Sequence, residues 1–306
     1  MTGRVRRLLP SLAALAYPTV VWAGPALHPA FLMLALTVPA LAVVVFHRTP
    51  PAYPRARAIA LLAAGAPALY SWLGGLLDFQ RSIPLHGLGM WCIVWGLATA
   101  ITAIEREGAT GVRTSSPRLA FAHGLTATLI VAFAGAHVAN HLVGLWGGDL
   151  HIAVMNVLRV VYRQPFIEAT LLACVAFQFA SGVGLLRHRV RVSGTAVDSL
   201  QACAGAYLAC FFASHLTAAL RARWMRGVDT NWVWLTTDSL LRDPWSARLA
   251  PYYFLAVVAV GVHAGAGLRH VVGAHGHTEL ADRLFTAVGV AAVVVAALVM
   301  TGLFRA

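Results

Sequence analysis

Four histidines within apolar stretches are the residues of this sequence with the clearest chemical potential. His137, His141, His215 and His263 lie inside stretches long enough to span a bilayer, and Gln178 lies in a further such stretch. An ionisable side chain at membrane depth is costly unless it faces a helix bundle or a cofactor, so such residues indicate a functional site. Imidazoles on facing helices can hold a haem iron from both sides. The four histidines therefore predict axial ligation of haem within a membrane.

The composition requires a membrane protein. Of the 306 residues, 59% are hydrophobic and 11% are charged, and the mean hydropathy is +0.73. A soluble domain of this size cannot accommodate so large an apolar fraction. The net charge of +12 comes from arginines in short loops, where they orient helices and meet anionic lipid headgroups. Membrane lipid is therefore an expected partner, and nucleic acid is not.

Apolar runs bounded by Arg, Pro, Gly or Asp predict an all-α, polytopic transmembrane bundle of about nine spans, each near the roughly 20 residues that a bilayer core requires. We place the spans at Leu8–Gly24, His28–Phe46, Arg57–Leu77, His86–Ile104, Leu119–Trp146, Phe166–Arg187, Asp198–Arg221, Ala250–Val272 and Leu284–Phe304. The most polar stretch, residues 108–117, separates a four-span region of unknown role (1–108) from a five-span region (118–306).

The distribution of arginines predicts the orientation. With a cytoplasmic N-terminus, the inner loops hold most of the arginines, as expected for the inner membrane of a bacterial cell. Residues 147–165 repeat apolar side chains at helical spacing and predict a short amphipathic helix along the membrane surface. The remaining histidines near span ends are expected to reach water, as amphipathic side chains do there. They are His28, His47, His86 and His151.

A rise of about 1.5 Å per residue places the five-span histidines at two depths. Counted from the inner end, His137 lies about 27 Å along its helix, His141 about 33 Å and His215 about 26 Å. His137 and His215 therefore match as ligands of one iron on the outer side. His141 lies one turn further on the face of His137 and is the alternative ligand or a propionate contact. Counted from the outer end, Gln178 and His263 both lie about 18 Å along their helices.

The five-span region resembles a known family in the order of these elements. They are His123, His137-Val-Ala-Asn-His141, Pro165-Phe-Ile-Glu168, Gln178-Phe-Ala-Ser-Gly182, Leu200-Gln201 through Gly205 to Ser214-His215, Thr230-Asn231-Trp232, and Tyr253 through His263 to Gly267. In this order they resemble the cytochrome b membrane anchor of succinate:quinone oxidoreductases and fumarate reductases, in its single-chain form with five helices and two haems.

The resemblance implies two haem b sites and a set of partners. The first and third family helices carry the ligands of the distal haem, here His137 or His141 and His215, whereas the second and fourth carry those of the proximal haem. The sequence departs from the pattern at Gln178, which replaces a histidine and leaves His263 without that partner. One haem is therefore expected and a second stays open, with His123 or His270 as substitutes. Quinone is the implied substrate, and flavoprotein and iron-sulfur subunits on the cytoplasmic side are the implied partners.

The function expected from these observations is electron transfer between haem b and a membrane quinone. The chain has no G-x-G-x-x-G motif after a strand and no cysteine cluster, so we expect no dehydrogenase chemistry of its own and at most a subunit of an oxidoreductase. Glu168 and Arg163 are candidates for handling quinol protons or haem propionates. The alternative is a membrane sensor, transport or assembly module that kept the scaffold but lost electron transfer.

Overall fold

The computed structural model describes residues 3–27, 29–77, 84–108, 116–236 and 244–305, and within them it contains helices and no strands. The predicted all-α class is confirmed. The α-helices are α1 Gly3–Leu27, α2 Thr37–Arg48, α3 Pro54–Ala64, α4 Ala66–Leu77, α5 Pro84–Ile104, α6 Pro117–Val143, α7 Gly148–Tyr162, α8 Pro165–Arg189, α9 Ala196–Leu220, α10 Trp232–Thr236, α11 Pro244–Ala247, α12 Leu249–Ala274 and α13 Thr278–Arg305.

Six helical segments of the described residues are long and apolar enough to cross a membrane. The chain is therefore a multi-pass membrane protein. The segments are Gly87–Ile104, Pro117–Trp146, Pro165–Arg189, Ala196–Met225, Trp245–Ala274 and Thr278–Arg305. They correspond to the fourth to ninth predicted spans.

Among the described residues the structure contains six such segments, or seven if one bent pair of helices is counted as a single span, so the predicted total of nine is not matched. Helix α1, Gly3–Leu27, covers the first predicted span as a single helix but is not among the six. The second predicted span is divided between a 3-10 helix, Pro29–Leu36, and α2. His28 lies outside the described residues.

The third predicted span, Arg57–Leu77, is broken at Gly65. Helices α3 and α4 meet there at an angle of 66° and count as a seventh span only if taken together. Close packing explains why glycine stands at the break, because a Cβ atom at this position would lie 2.7 Å from the Sγ atom of Cys210. Pro67, two residues further on, has no N–H to donate to the preceding turn.

The chain folds into two compact units. The first consists of Met1–Thr114, Leu186–Ala218 and Leu241–Tyr252. Its core is rich in aromatic rings: the Tyr70 ring meets those of Tyr17 and Trp91 edge-on, with centroids 5.6 and 5.3 Å apart. The indole nitrogen of Trp91 donates a 2.8 Å hydrogen bond to the carbonyl of Ala14, which satisfies the polar end of this buried side chain.

A buried arginine connects several backbone ends in the first unit. Arg57 is 3% exposed, and its guanidinium donates to the carbonyls of Phe46, Thr49, Arg189 and Val192 over 2.7–3.0 Å. A guanidinium has five N–H donors in a fixed geometry, so one side chain can satisfy several carbonyls at once. Arg57 therefore stabilises the ends of α2 and α8 rather than marking a membrane boundary.

The second unit consists of Ser115–Leu185, Ala219–Leu240 and Tyr253–Ala306. Helix α6 begins after Ser116, whose Oγ accepts a hydrogen bond from the backbone N–H of Leu119. Gly147 has a φ of +128° and turns the chain from α6 into α7, a conformation that glycine adopts without strain. Helix α7 confirms the predicted short helix in residues 147–165, whereas the predicted domain division at residues 108–118 stays a prediction.

Candidate functional site

A group of polar and aromatic side chains, buried or half-buried, lies where α6 ends and α7 begins. It is here called the α7 cluster and consists of His137, Asn140, His141, His151 and Trp232. His137 and His141 lie one turn apart on α6, with their Nε2 atoms 3.3 Å apart. Residues four apart share one face of a helix. The two imidazoles therefore approach from the same side and cannot hold opposite faces of one haem iron. One is a candidate ligand and the other its hydrogen-bond partner.

His151 of α7 completes the cluster. It is 2% exposed, its Nε2 atom lies 3.0 Å from Nδ2 of Asn140, and its ring centroid is 5.1 Å from that of His141 and 4.7 Å from that of Trp232. Burial lowers the pKa of His151 to about 4, with smaller contributions from His137 and Arg159. The expectation that His151 reaches water is wrong, because α7 packs this side chain against α6.

Oδ1 of Asn140 and Nδ1 of His151 are buried atoms of the α7 cluster without a hydrogen-bond partner among the described residues. Because the amide nitrogen of Asn140 donates to Nε2 of His151, the imidazole proton resides on Nδ1. These two atoms are therefore a buried acceptor and a buried donor without partners there. Leaving a buried polar atom without a partner costs about 1–3 kcal/mol, so a ligand oxygen facing Nδ1 would stabilise the cluster.

The segment 228–232 packs over the α7 cluster. Arg159 of α7, with a side chain that is 10% exposed, forms an ion pair of 2.8 Å with Asp229 and donates to the carbonyl of Thr230. Trp232 lies directly against the backbone turn, because a Cβ atom at Gly144 would come within 2.3 Å of its ring. These contacts attach the segment to α7 and close the cluster against water.

The predicted pair of proton-handling residues lies at the same end of the second unit, but each has its own surroundings. Glu168 is in the first turn of α8, and its carboxylate forms an ion pair with Arg223. Arg163 follows the last turn of α7, where burial and then the charge of Arg159 lower its pKa. Their predicted role with quinol protons or propionates stays a prediction. Arg223 is a partner that the sequence analysis did not identify.

A second pair of imidazoles lies elsewhere in the second unit, here called the His123–His263 pair. The ring centroids are 6.3 Å apart and the ring planes are at 76°. Nδ1 of His123 lies 2.8 Å from Oγ of Ser181 on α8. Helices α6, α8 and α12 therefore contribute to one arrangement of side chains within their membrane-crossing segments.

Gln178 lies next to this pair and forms hydrogen bonds with α6. Its amide nitrogen donates two hydrogen bonds of 2.7 Å, one to the backbone carbonyl of His123 and one to Oγ1 of Thr126. Both protons of the amide are thereby used. Gln178 thus joins α8 to α6 at the residue that carries the His123 imidazole.

His215 belongs to the first unit, so its predicted pairing with His137 stays a prediction. Helix α9 begins with a reciprocal cap: Thr195 donates its backbone N–H to the carboxylate of Asp198, and the backbone N–H of Asp198 donates to Thr195 Oγ1. Five turns later the His215 ring stacks on Phe211, with centroids 5.1 Å apart and planes at 11°. The stacking fixes the orientation of an imidazole inside a span.

The sequence analysis missed Asn140, His151 and Ser181 as members of these two arrangements. A signal for Asn140 and Ser181 was present, because each lies three positions after a candidate residue, His137 or Gln178, and shares its helix face. No comparable signal exists for His151, whose position depends on how α7 packs. Within the described residues, no three or more His, Cys, Asp or Glu side chains are grouped so that they could hold a metal ion by themselves.

No protein-family model, curated protein or solved structure matches this chain.

Proposed function

We propose that this chain is a haem b-binding membrane subunit that transfers electrons to or from a membrane quinone. The observation that carries the proposal is the α7 cluster, in which α6 holds two imidazoles in contact inside a membrane-crossing segment. Haem iron takes four nitrogens from the porphyrin, so the protein needs to supply only two ligands. Within the described residues no three or more His, Cys, Asp or Glu side chains are grouped to hold a metal ion. Haem does not need such a group, because two histidines are enough.

The residues of the α7 cluster fit one face of a haem. His137 would hold the haem iron, and the Phe133 ring stacks on its imidazole with centroids 5.8 Å apart and planes at 15°, which holds the ring in place. His141 is the neighbouring imidazole and the alternative residue to hold the iron. The sequence-based prediction assigns the second ligand to His215. When bound, haem would supply one-electron redox chemistry, and the protein would orient and desolvate it.

The α7 cluster also offers groups for a quinone or a propionate. Nδ1–H of His151 needs an acceptor, which a quinone carbonyl or a haem carboxylate provides. Glu168, which forms an ion pair with Arg223, lies at the same end of the second unit. Its carboxylate is a candidate acceptor for quinol protons. We place the chain in the inner membrane of a bacterium with a cytoplasmic N-terminus, and we assign substrate oxidation to separate flavoprotein and iron-sulfur subunits.

The test is carried out on the full chain, expressed with added haem precursor and purified in detergent. A reduced-minus-oxidised spectrum is expected to show a b-type band, and a quinol is expected to reduce the haem. His137→Ala and His215→Ala should each remove the one haem that these two residues would hold, whereas His275→Ala, at an exposed position, should not. If all these variants keep the haem content of the unmodified chain, the assignment is wrong and a module without electron transfer becomes the better account.

A further inference from the structure

We propose that His123 and His263 are the two axial ligands of a second haem iron, and that Gln178 and Ser181 position His123 for this role. The inference rests on the proposed function, because it assigns further haem ligands in the same protein. It assigns to His123 the ligand role that the family resemblance would place at residue 178.

The distance between the two rings fits coordination of one iron. Two imidazoles on opposite sides of a metal place their ring centroids about 6 Å apart, since each metal–nitrogen bond is about 2 Å and each centroid lies about 1 Å behind its nitrogen. The centroids of His123 and His263 are 6.3 Å apart. Edge-to-face packing alone also gives centroid separations of about 4.5–7 Å, so the distance is compatible with a shared metal and the variants described below distinguish the two.

The hydrogen bonds of Ser181 determine which nitrogen of His123 carries the proton. The Ser181 hydroxyl donates its single proton to the carbonyl of Phe177, one turn back on α8, over 2.6 Å. It must therefore accept from Nδ1–H of His123, 2.8 Å away. The lone pair of His123 is then on Nε2, the tautomer that a metal-binding histidine with such a partner adopts.

Gln178 fixes the backbone that carries this imidazole. Its two donated bonds, to the carbonyl of His123 and to Thr126 Oγ1, keep α6 and α8 in register at the ligand. Both amide protons serve this contact, which gives the glutamine a structural role where a ligand was expected. Gln178 is therefore a positioning residue.

A glycine lies beside the His123 ring. A Cβ atom at Gly182 would meet one atom within 4 Å, Cε1 of His123 at 3.7 Å. The space next to the ring edge is thus bordered by a residue without a side chain, as the close approach of a macrocycle requires. A leucine at this position would extend into that space and leave both imidazoles in the chain.

The principal test counts haem per chain in detergent-purified protein, by absorbance of the pyridine complex. The unmodified chain is expected to contain two haems. The variants His123→Ala and His263→Ala should each contain one haem, and the control His275→Ala should contain two. The inference would be overturned if the unmodified chain contains one haem and both His123→Ala and His263→Ala keep it. The proposed function would remain intact in that case. A chain with no haem would contradict the proposed function itself, and this is visible before any variant is made.

A second set of measurements separates ligation from folding. In His123→Gly, added imidazole should restore the lost band, because the free ligand enters the space of the missing ring. Gly182→Leu should lose the same haem, whereas Gly289→Leu, at a position where a Cβ atom meets nothing within 4 Å, should keep both. If imidazole restores nothing and Gly182→Leu retains both haems, the inference is wrong.

The positioning role of Gln178 and Ser181 has its own readout. Gln178→Leu and Ser181→Ala should keep the His123 haem at reduced occupancy and change its midpoint potential and its low-spin electron paramagnetic resonance signal. Ring planes at 76° predict a strongly anisotropic signal for this haem. An unchanged potential and signal in both variants would contradict the positioning role.

Discussion

The Nε2 atoms of His137 and His141 lie 3.3 Å apart on one face of α6. A hydrogen bond between two such nitrogens requires a proton on one and a lone pair on the other. An iron that binds Nε2 of His137 must therefore replace this contact. The two histidines consequently have different roles, and their variants are expected to differ.

His137→Ala should remove one haem per chain, because it deletes the proposed axial ligand. His141→Ala should keep that haem and change its midpoint potential, since it removes a neighbour of the ligand without removing the ligand. Haem content and redox titration of both variants test this difference. If His141→Ala loses the haem and His137→Ala keeps it, the assignment of the two roles is reversed.

Protonation of His151 should destabilise the folded chain in acid. Burial lowers its pKa to about 4 from the ordinary value of 6.5, so the unfolded chain binds the proton more tightly. The stability contributed by this group is complete above about pH 6.5, declines as the pH falls towards about 4, and declines no further below that.

The measurement is the thermal unfolding midpoint in detergent between pH 7 and 4. His151→Gln, which cannot titrate in this range, should show a smaller decrease in midpoint than the unmodified chain. Identical acid profiles for the two proteins would show that His151 is not responsible.

The contact between Gly144 and Trp232 should make the turn at the end of α6 intolerant of a methyl group. A Cβ atom at Gly144 would lie 2.3 Å from the Trp232 ring, so Gly144→Ala must displace the segment that covers the α7 cluster. We expect a loss of about 1–3 kcal/mol in the free energy of unfolding.

Gly135→Ala, within α6, is the matched control, because a Cβ atom at Gly135 meets nothing within 4 Å. It should leave the stability unchanged or raise it slightly, since alanine has the higher helix propensity. Equal losses in both variants, measured by denaturant unfolding in detergent, would contradict the packing argument.

Arg57 should be the most sensitive of the arginines in the first unit. Arg57→Lys keeps the charge but loses the planar array of donors to four carbonyls, so we expect a loss of about 2–4 kcal/mol. Arg55→Lys, at an exposed position, should change stability by less than about 0.5 kcal/mol. A similar unfolding midpoint for both variants would show that the carbonyl contacts of Arg57 contribute little.

The last six spans were predictable because each contains a long apolar stretch between loops with polar or helix-breaking residues. The N-terminal part was less predictable, since the bend at Gly65 depends on the approach of Cys210 from a distant part of the chain. Hydropathy measures length and polarity, and it contains no information about such packing.

The histidines of the candidate site were visible in the sequence, but their neighbours were not. Depth along the helices matched Gln178 with His263, whereas the structure shows the His263 ring next to that of His123. The difference arises because depth along a helix does not define tilt, rotation or which helices are adjacent. The position of His151 depends on the same properties and so escaped prediction.

The most direct test of the central proposal is the reduced-minus-oxidised absorption spectrum of the unmodified chain, purified after expression with added haem precursor. We predict a b-type band, with haem in stoichiometric amount. A protein that is folded and helical by circular dichroism but shows no such band would contradict the haem assignment.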